Sequence, residues 1–232
     1  DVPNYWPRYS SLYSEATRPA EGPDSVVRRL IEAVRRLGET TGWDSIAGVG
    51  ISSPGPLDSR QGVVLWTPNL PGWRNVPLAA PLCQAIGRPV IVENDANLGA
   101  LAEQRNGAGK GHPDVVYLTV STGIGGGIIS GGRLVTGHRG VAGEIGHVVI
   151  DPNGPPCNCG RVGCLEALAS GTGIARQAKE MVNRGEPTLI REMVGGDTSL
   201  ITAKTVCKAA EAGDRRAIEL FLTNRTLNAD EA

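Results

Sequence analysis

The sequence predicts an α/β fold with a partly parallel sheet, on two observations. Short apolar runs typical of strands alternate with longer segments in which apolar residues recur every three or four positions, as in βαβ units. The 232 residues are 40% hydrophobic and 20% charged, so the chain can bury a core and is not intrinsically disordered. Its 32 glycines, about twice the average usage, favour tight turns and close approach of ligands to the backbone.

The first predicted elements are a helix and two strands. Residues 1–24 are rich in aromatic residues without a clear period, and we expect an irregular segment there. Asp24 or Ser25 caps the helix that follows. Gly38 or Gly42 ends it. Its apolar positions are Val26, Val27, Leu30, Ile31, Val34 and Leu37. The strands are Ile46–Ile51 and Val63–Trp66, followed by the loop Thr67–Trp73.

Helices and strands continue to alternate through the rest of the chain. Pro77 opens a helix that extends to about Ile86. The later helices are Asn94–Arg105, Leu165–Gly185 and Ala203–Leu222, the last interrupted near Gly213. The later strands are Pro89–Val92, Val115–Val120 and Gly127–Ile129, with a hairpin turn at Ser130–Gly132. The glycine-rich loop Asn106–Pro113 marks a junction, so we expect a smaller α/β domain over 1–113 and a larger one over 114–232.

Charge and hydropathy exclude several classes of partner. The net charge is −1 and no basic block occurs, which argues against nucleic acid and acidic membranes as partners. No run approaches the roughly 18 apolar residues that a membrane helix needs. The first residues lack the pattern of a signal peptide. We therefore expect a cytoplasmic protein.

Four residues have the spacing H-x9-C-x-C-x4-C and predict a metal site: His147, Cys157, Cys159 and Cys164. Three thiolates and one imidazole form a closed tetrahedral shell suited to Zn²⁺, so the predicted role is structural. The alternative is that these cysteines are small buried hydrophobic residues beside a chance histidine. The other two cysteines, Cys83 and Cys207, lie in apolar helical patterns and are predicted to belong to the core.

A glycine-rich segment, Ser121–Gly127, follows a predicted strand. Backbone N–H groups at this position can bind phosphate, and the Thr122 hydroxyl can add a contact. The segment matches neither the P-loop pattern nor the dinucleotide-binding pattern. A sheet turn or close packing explains it equally well.

Three acidic residues are candidates for chemistry. Asp95 follows a strand and begins a helix, a place where open α/β sheets bind ligands, and its carboxylate can accept a proton from a hydroxyl nucleophile. In isolation the pattern favours an N-cap aspartate instead. Glu144 and Glu166 flank the cysteine cluster. Alone each is typical of a solvated or capping carboxylate, but beside a metal site each can bind a polyol.

Four segments resemble, in order and spacing, the ROK family of bacterial sugar kinases and repressors: Glu93–Asn97, Ser121–Gly127, Gly143–His147 and Cys157–Glu166. The loop Asn69–Trp73 is most similar to the glucokinase branch, and the resemblance extends from about Pro19 to Phe221. It implies an actin-like ATPase (ribonuclease H-like) fold, with two α/β domains around a sugar cleft. It also implies transfer of phosphate from ATP to the 6-hydroxyl of a hexose, with glucose as the expected substrate, by a homodimer or homotetramer.

The resemblance further implies a role for individual residues. Asp95 matches the catalytic base, which takes the proton of the sugar hydroxyl as it attacks the γ-phosphate of Mg²⁺-ATP. Positions that bind the hexose hydroxyls are Asn69, Asn94, Glu144, His147 and Glu166. Positions that contact ATP are Thr122, Gly123 and Gly125. The Zn²⁺ ligands are His147, Cys157, Cys159 and Cys164, and the second imidazole nitrogen of His147 stays free to donate to the sugar.

The chain also departs from the family pattern in two places. The N-terminal phosphate motif Asp-x-Gly-Gly-Thr does not occur in it, and the residues after Phe221 differ from the family sequence. We therefore expect the second domain to be incomplete at its C-terminus. Two alternative functions stay open: a sugar-binding ROK regulatory protein with impaired catalysis, and a kinase for an N-acetylhexosamine. No helix-turn-helix pattern precedes Asp24, which argues against a DNA-binding repressor.

Overall fold

The described residues, 11–67 and 70–229 of a computed structural model, form two compact units. The first contains the described residues up to Tyr117 together with Gly127–Gly143. The second contains Leu118–Gly126 and the described residues from Glu144 onward. Asn69, expected to bind sugar, lies outside the described residues, as do residues 1–10 of the segment expected to be irregular.

A pair of parallel strands lies in the first unit. β1 (Val49–Ser53) and β5 (Val90–Asn94) are in register, with Ser53 opposite Asn94. The helix α2 (Ala79–Ile86) lies between them in sequence and packs against β5. The predicted βαβ arrangement is therefore confirmed, although both strands begin one to three residues later, and end two residues later, than the apolar runs suggested.

An antiparallel three-stranded sheet precedes α2. Its strands follow the order β2 (Leu57–Asp58), β3 (Val63–Trp66) and β4 (Arg74–Pro77). The prediction of β3 is confirmed, whereas β2 and β4 were not predicted. The predicted helix start at Pro77 is wrong, because this residue ends β4 and pairs with Val63.

The helix α1 (Pro23–Thr41) covers the core of the first unit. It begins after Gly22 without a side-chain cap, so the predicted capping by Asp24 or Ser25 is wrong, and it ends at Gly42, whose φ is 89°. Its predicted apolar face is buried: Val27 belongs to the core cluster of the first unit, and Val26, Leu30, Ile31 and Val34 pack against that cluster. The other members of the cluster are Leu57, Val64, Trp73, Val76, Leu78, Leu82 and Val92.

Three strands and one helix follow β5. The helix is α3 (Asp95–Asn106), and the strands, which form a sheet in chain order, are β6 (Val115–Val120), β7 (Ile124–Ser130) and β8 (Arg133–Leu134). The division between the two units passes through β6 and β7. The predicted hairpin after Gly127 is confirmed, and its turn uses positive φ angles at Gly131 and Gly132.

The second unit is mainly helical after the cysteine cluster. Its helices are α4 (Leu165–Ala169), α5 (Gly171–Asn183), α6 (Leu189–Met193), α7 (Ala203–Glu211) and α8 (Arg215–Ala229). The short 3₁₀ turns of the chain are Pro19–Glu21, Trp43–Ser45, Ile145–His147 and Thr198–Leu200. The single helix predicted over Leu165–Gly185 is wrong, because Ser170 is extended and its hydroxyl caps α5. None of the described helices is long and apolar enough to cross a membrane.

Both cysteines predicted to be buried are exposed. Cys83 lies next to Leu82, the buried residue of α2, and Cys207 lies next to the buried Val206 of α7. Successive residues of a helix point about 100° apart, so the neighbour of a core residue can lie outside the buried face, as both cysteines do. The Cys207 thiol lies 3.6 Å from the carboxylate of Glu211 at the surface.

A buried carboxylate joins α6 to α8. Asp214 is 7% exposed, and its Oδ2 accepts hydrogen bonds from the Thr188 hydroxyl at 2.6 Å and the Leu189 N–H at 2.5 Å. Its Oδ1 accepts from the N–H groups of Arg216 and Ala217 at the start of α8. Burial alone would raise the pKa of Asp214, but these hydrogen bonds outweigh burial and lower it.

We expect Asp214→Asn to destabilise the chain by about 2 kcal/mol near neutral pH, because the new NH₂ group cannot accept the two bonds at Oδ2. The lowered pKa means that the contribution of Asp214 is present above its unfolded pKa and is lost as the pH falls through its folded pKa. Urea unfolding at pH 7 and pH 3 therefore tests the stabilising role of the Asp214 carboxylate. The difference in unfolding free energy between the parent chain and Asp214→Asn should shrink at pH 3. A difference that does not depend on pH would contradict this role.

Candidate functional site

The four predicted metal ligands lie together in the second unit. Their ligand atoms are all within 4.8 Å of one another. The Cys157 Sγ is 3.6 Å from the Nδ1 of His147, and the Cys159 Sγ is 3.6 Å from the Cys164 Sγ. In a tetrahedral shell with Zn–S bonds of about 2.3 Å, neighbouring sulfur atoms are about 3.8 Å apart, so the observed spacing fits a zinc ion.

Backbone hydrogen bonds and two glycines with positive φ angles, Gly160 and Gly163, shape the loop that carries these ligands. The N–H of Cys157 donates to the carbonyl of Arg161, and the N–H of Gly160 donates to the carbonyl of Cys157. Gly163 donates to Pro155, and its own carbonyl accepts from Ile150. The loop is therefore held in shape by hydrogen bonds within its own backbone. These bonds bring the metal ligands together without a long helix or strand.

The thiols differ in how readily they ionise. Burial, reinforced by the neighbouring thiols, raises the pKa of Cys164 to about 12, and burial also raises the pKa of Cys157. Burial opposes ionisation of Cys159 too, but hydrogen bonds from the Arg161 backbone and the other two thiols lower its pKa. A metal ion must therefore displace protons from the cluster, so metal affinity rises with pH.

The imidazole of His147 presents its two nitrogens to different neighbours. Nδ1 faces the cysteine cluster, whereas Nε2 lies 4.0 Å from the Oε2 of Glu144. Both side chains are partly exposed, at 26% for His147 and 35% for Glu144. A metal bound through Nδ1 would therefore leave Nε2 directed at a carboxylate and accessible from outside.

Glu166 connects the cluster to the glycine-rich segment. It lies two residues after Cys164, in the first turn of α4, and its Oε2 accepts a hydrogen bond from the Ile124 N–H at 2.9 Å. The same oxygen occupies the space of a side chain at Gly123, where a Cβ atom would lie only 2.5 Å from it. A side chain at position 123 would therefore have to push the Glu166 carboxylate away from its hydrogen bond with Ile124.

The glycine-rich segment is a turn followed by a strand. Ser121, Thr122 and Gly123 form the turn, in which the Ser121 N–H donates to the Gly123 carbonyl, and β7 begins at Ile124. Gly125 lies inside the strand, and Gly127 packs against α3, where a Cβ atom would clash with Ala100. Close packing therefore explains Gly127, and the turn is the part accessible to a ligand.

Asp95 and Asn94 lie at the junction of β5 and α3 in the first unit. Asn94, and not Asp95, is the N-cap, because its Oδ1 accepts from the N–H groups of Ala96 and Asn97. Asp95 is exposed, and its Oδ1 accepts from the Ala96 N–H at 2.9 Å. Within the described chain its Oδ2 has no hydrogen-bond partner, so that oxygen is available to a substrate.

Two residues that support the glycine-rich turn were missed from the sequence. The N–H groups of Gly171 and Thr172, and the hydroxyl of Thr172, bind carbonyls of the turn. The signal that could have found them is Ser170-Gly-Thr-Gly173, an N-cap serine followed by small residues within an otherwise helical pattern.

Comparison with known proteins assigns the chain to a family. The ROK family model matches residues 10–229. This chain belongs to the ROK family. A solved structure of a ROK family glucokinase from Streptomyces griseus, in complex with glucose and AMPPNP, is 39% identical and superposes with a TM-score of 0.72 over 90% of the chain. The actin-like α/β fold class predicted from the sequence is therefore confirmed.

Curated relatives include two kinds of sugar kinase. A glucokinase from Thermotoga maritima is 43% identical over 208 residues, which are 90% of this chain and 64% of that protein. An N-acetylmannosamine kinase from Escherichia coli is 42% identical over 212 residues, which are 91% of this chain and 65% of that protein. The match to the S. griseus structure covers 66% of that chain. The chain thus spans slightly less than two thirds of the length of these relatives.

Two glycines of the metal loop provide a matched test of its geometry. Gly160 and Gly163 both have positive φ angles, so alanine is strained at either by about 1 kcal/mol. A Cβ atom at Gly160 meets nothing within 4 Å, whereas one at Gly163 would lie 1.5 Å from the carbonyl oxygen of Asp151. We expect Gly163→Ala to weaken Co²⁺ and Zn²⁺ binding at least tenfold more than Gly160→Ala, measured by titration of the thiolate-to-cobalt absorption. Equal losses would show that the close approach at Gly163 does not hold the ligands.

Proposed function

We propose that the chain acts as a hexose kinase that transfers the γ-phosphoryl group of ATP to the 6-hydroxyl of glucose. The observation that carries this proposal is the 43% identity to a glucokinase across 90% of the chain. The geometry of the cysteine cluster and the accessible carboxylate of Asp95 support it from the structure. Since the chain spans less than two thirds of that relative, the activity is a property to be measured on this chain itself.

The zinc ion is proposed to be structural. His147, through Nδ1, and the three cysteines supply four ligands, so no position remains for a water or a substrate. When bound, the metal would lock the loop and fix the orientation of the His147 ring. The Nε2–H would then be held as a donor to a sugar hydroxyl, with Glu144 beside it.

Four described residues are proposed to contact the hexose: Asn94, Glu144, His147 and Glu166. Glu166 can serve in two ways, because its Oε2 is engaged by the Ile124 N–H and its Oε1 remains for a sugar hydroxyl. A carboxylate whose position is already fixed by the backbone loses little conformational freedom on binding, which favours affinity. Asn69 is proposed as a further contact on its sequence position alone.

Asp95 is proposed as the general base. The reaction requires that the proton of the 6-hydroxyl leave as the oxygen attacks the γ-phosphorus, and a carboxylate oxygen without an internal partner can accept it. Its Oδ1 is held by the Ala96 N–H at the start of α3, which fixes the orientation of the carboxyl group. The remaining catalysis comes from alignment of the two substrates and neutralisation of phosphate charge.

The phosphates of ATP are proposed to bind the turn formed by Thr122 and Gly123, with Gly125 at the start of the following strand and Mg²⁺ carried by the nucleotide. The Thr122 side chain is exposed and can donate its hydroxyl to a phosphate oxygen. Because hydrogen bonds to an anion are stronger than those between neutral groups, a few donors suffice to place the terminal phosphate.

A kinase for N-acetylmannosamine is the second candidate, because a relative with that name is 42% identical over 91% of the chain. Turnover of the chain loaded with zinc should be measured with glucose and with N-acetylmannosamine, through coupled detection of ADP. The proposal predicts a higher kcat/KM for glucose. A higher kcat/KM for N-acetylmannosamine would make that sugar the proposed substrate in place of glucose. Sugar binding without turnover of either sugar would favour the regulatory alternative.

We expect Asp95→Asn to lower kcat by about 10²–10⁴-fold while the dissociation constant for glucose stays within about threefold, since the amide cannot take the proton but keeps the size of the side chain. Glu103→Gln, on the same helix α3, is the matched control and should retain full kcat. A kcat for Asp95→Asn equal to that of the control would remove Asp95 from the role of base.

A further inference from the structure

Two successive carbonyl groups of the glycine-rich turn are bound by the first turn of α5. The N–H of Gly171 donates to the Ser121 carbonyl at 2.8 Å. The Thr122 carbonyl accepts twice from Thr172, from its N–H at 3.2 Å and from its hydroxyl at 2.9 Å. The contacts join residues about 50 positions apart within the second unit.

These contacts fix the direction of two N–H groups. In a trans peptide the C=O and N–H bonds of one peptide plane point in opposite directions. Among the described residues, the only cis peptide is Gly55–Pro56, so the planes after Ser121 and Thr122 are trans. Because α5 holds both carbonyls, the N–H groups of Thr122 and Gly123 both point away from it.

Neighbouring N–H groups are already engaged. The N–H of Ser121 donates to the Gly123 carbonyl, and the N–H of Ile124 donates to Glu166. In the part of the chain that the structure describes, the N–H groups of Thr122 and Gly123 have no acceptor. Two adjacent, aligned donors on an exposed turn form a concave site for an anion.

The support on the α5 side is itself constrained. Ser170 is fully buried, and its hydroxyl lies 2.9 Å from the hydroxyl of Thr172 and accepts from the Gly173 N–H. The hydroxyl of Thr172 is therefore held between a fixed partner and the Thr122 carbonyl. At Gly171 a Cβ atom would lie 2.8 Å from the Ser121 carbonyl oxygen, so only glycine permits this approach without a shift.

We propose that Thr172 is a positioning residue for nucleotide binding, which holds the Thr122 carbonyl so that the N–H groups of Thr122 and Gly123 face the phosphate chain of ATP. Gly171 acts with it by allowing α5 to approach the turn. Thr172 does not itself touch the nucleotide. The inference rests on the proposed function, since it assigns a phosphate chain to these donors.

A positioning role and a purely structural role differ in their consequences. If Thr172 only stabilises the second unit, its loss lowers the melting temperature and weakens every ligand to a similar extent. If it orients the turn, its loss weakens nucleotide binding selectively, while glucose affinity and zinc content stay unchanged. The ratio of nucleotide affinity to glucose affinity is therefore the informative quantity.

The test compares Thr172→Val, which removes the hydroxyl and keeps the branched shape, with Thr172→Ser, which restores the hydroxyl. Thr205→Val is the matched control, because the Thr205 hydroxyl also makes hydrogen bonds at a helix start in the second unit, with Thr202. Affinities for glucose and for Mg²⁺-AMPPNP are measured by calorimetry on the full chain loaded with zinc. Amide shifts of Thr122 and Gly123 on addition of nucleotide are recorded by NMR.

We expect Thr172→Val to weaken Mg²⁺-AMPPNP binding by about five- to tenfold, the effect of one lost hydrogen bond, and to leave glucose affinity within twofold. Thr172→Ser and Thr205→Val should bind nucleotide like the parent chain. If Thr172→Val binds nucleotide as the parent does, or loses glucose affinity equally, the positioning role is overturned and the proposed kinase function stands. A parent chain that binds glucose without nucleotide would overturn the kinase function itself, and with it this inference.

A second variant keeps the test informative if Thr172→Val folds poorly. Alanine has a higher helix propensity than glycine, so Gly171→Ala should not weaken α5. Its Cβ atom would displace the Ser121 carbonyl. We expect nucleotide affinity to fall by at least fivefold without a fall in melting temperature, and unchanged nucleotide affinity would overturn the inference.

Discussion

The convergence of four ligand atoms within 4.8 Å is the constraint on which the candidate site in the second unit depends. The chain returns to this point from His147 to Cys164 through a loop that is folded by its own backbone. Without a metal, burial disfavours the thiolate forms of Cys157 and Cys164, and it is the main cause of their raised pKa values. A bound divalent metal would make the cluster rigid, because four bonds to one ion restrict the chain segments that carry the ligands.

The proposed functional groups of the second unit lie close in sequence to the metal ligands. His147 ends the 3₁₀ turn that leads into the loop, and Glu144 comes directly before that turn. Glu166 follows Cys164 by two residues. Glu166 then binds the Ile124 N–H, so the metal loop and the glycine-rich turn share one carboxylate. The turn is held on its other side by α5. Within the second unit, Glu166, which is proposed to bind sugar, is therefore connected by a hydrogen bond to the segment proposed to bind phosphate.

Local patterns in the sequence predicted some of this arrangement and not the rest. The ligand spacing of the cluster, the amphipathic face of α1 and the strand β3 were predictable, since each depends on residues close in sequence. The exposure of Cys83 and Cys207 was not, because a short apolar pattern does not fix which side of a helix faces the core. Asn94 and Asp95 are both good N-cap residues, and only the backbone direction at the end of β5 selects Asn94. The contacts of Glu166 with Ile124 and of Thr172 with Thr122 join backbone atoms 42 and 50 residues away, and backbone atoms carry no side-chain signal.

The metal loop would set the positions of the proposed sugar-binding groups of the second unit, and one measurement tests this dependence most directly. Glucose affinity is determined by calorimetry before zinc is removed with a chelator, after its removal, and after zinc is added back, with circular dichroism to verify that the chain stays folded. The predicted result is a loss of affinity of about 10–100-fold on removal, reversed by zinc. An unchanged glucose affinity in the folded, metal-free chain would contradict the account.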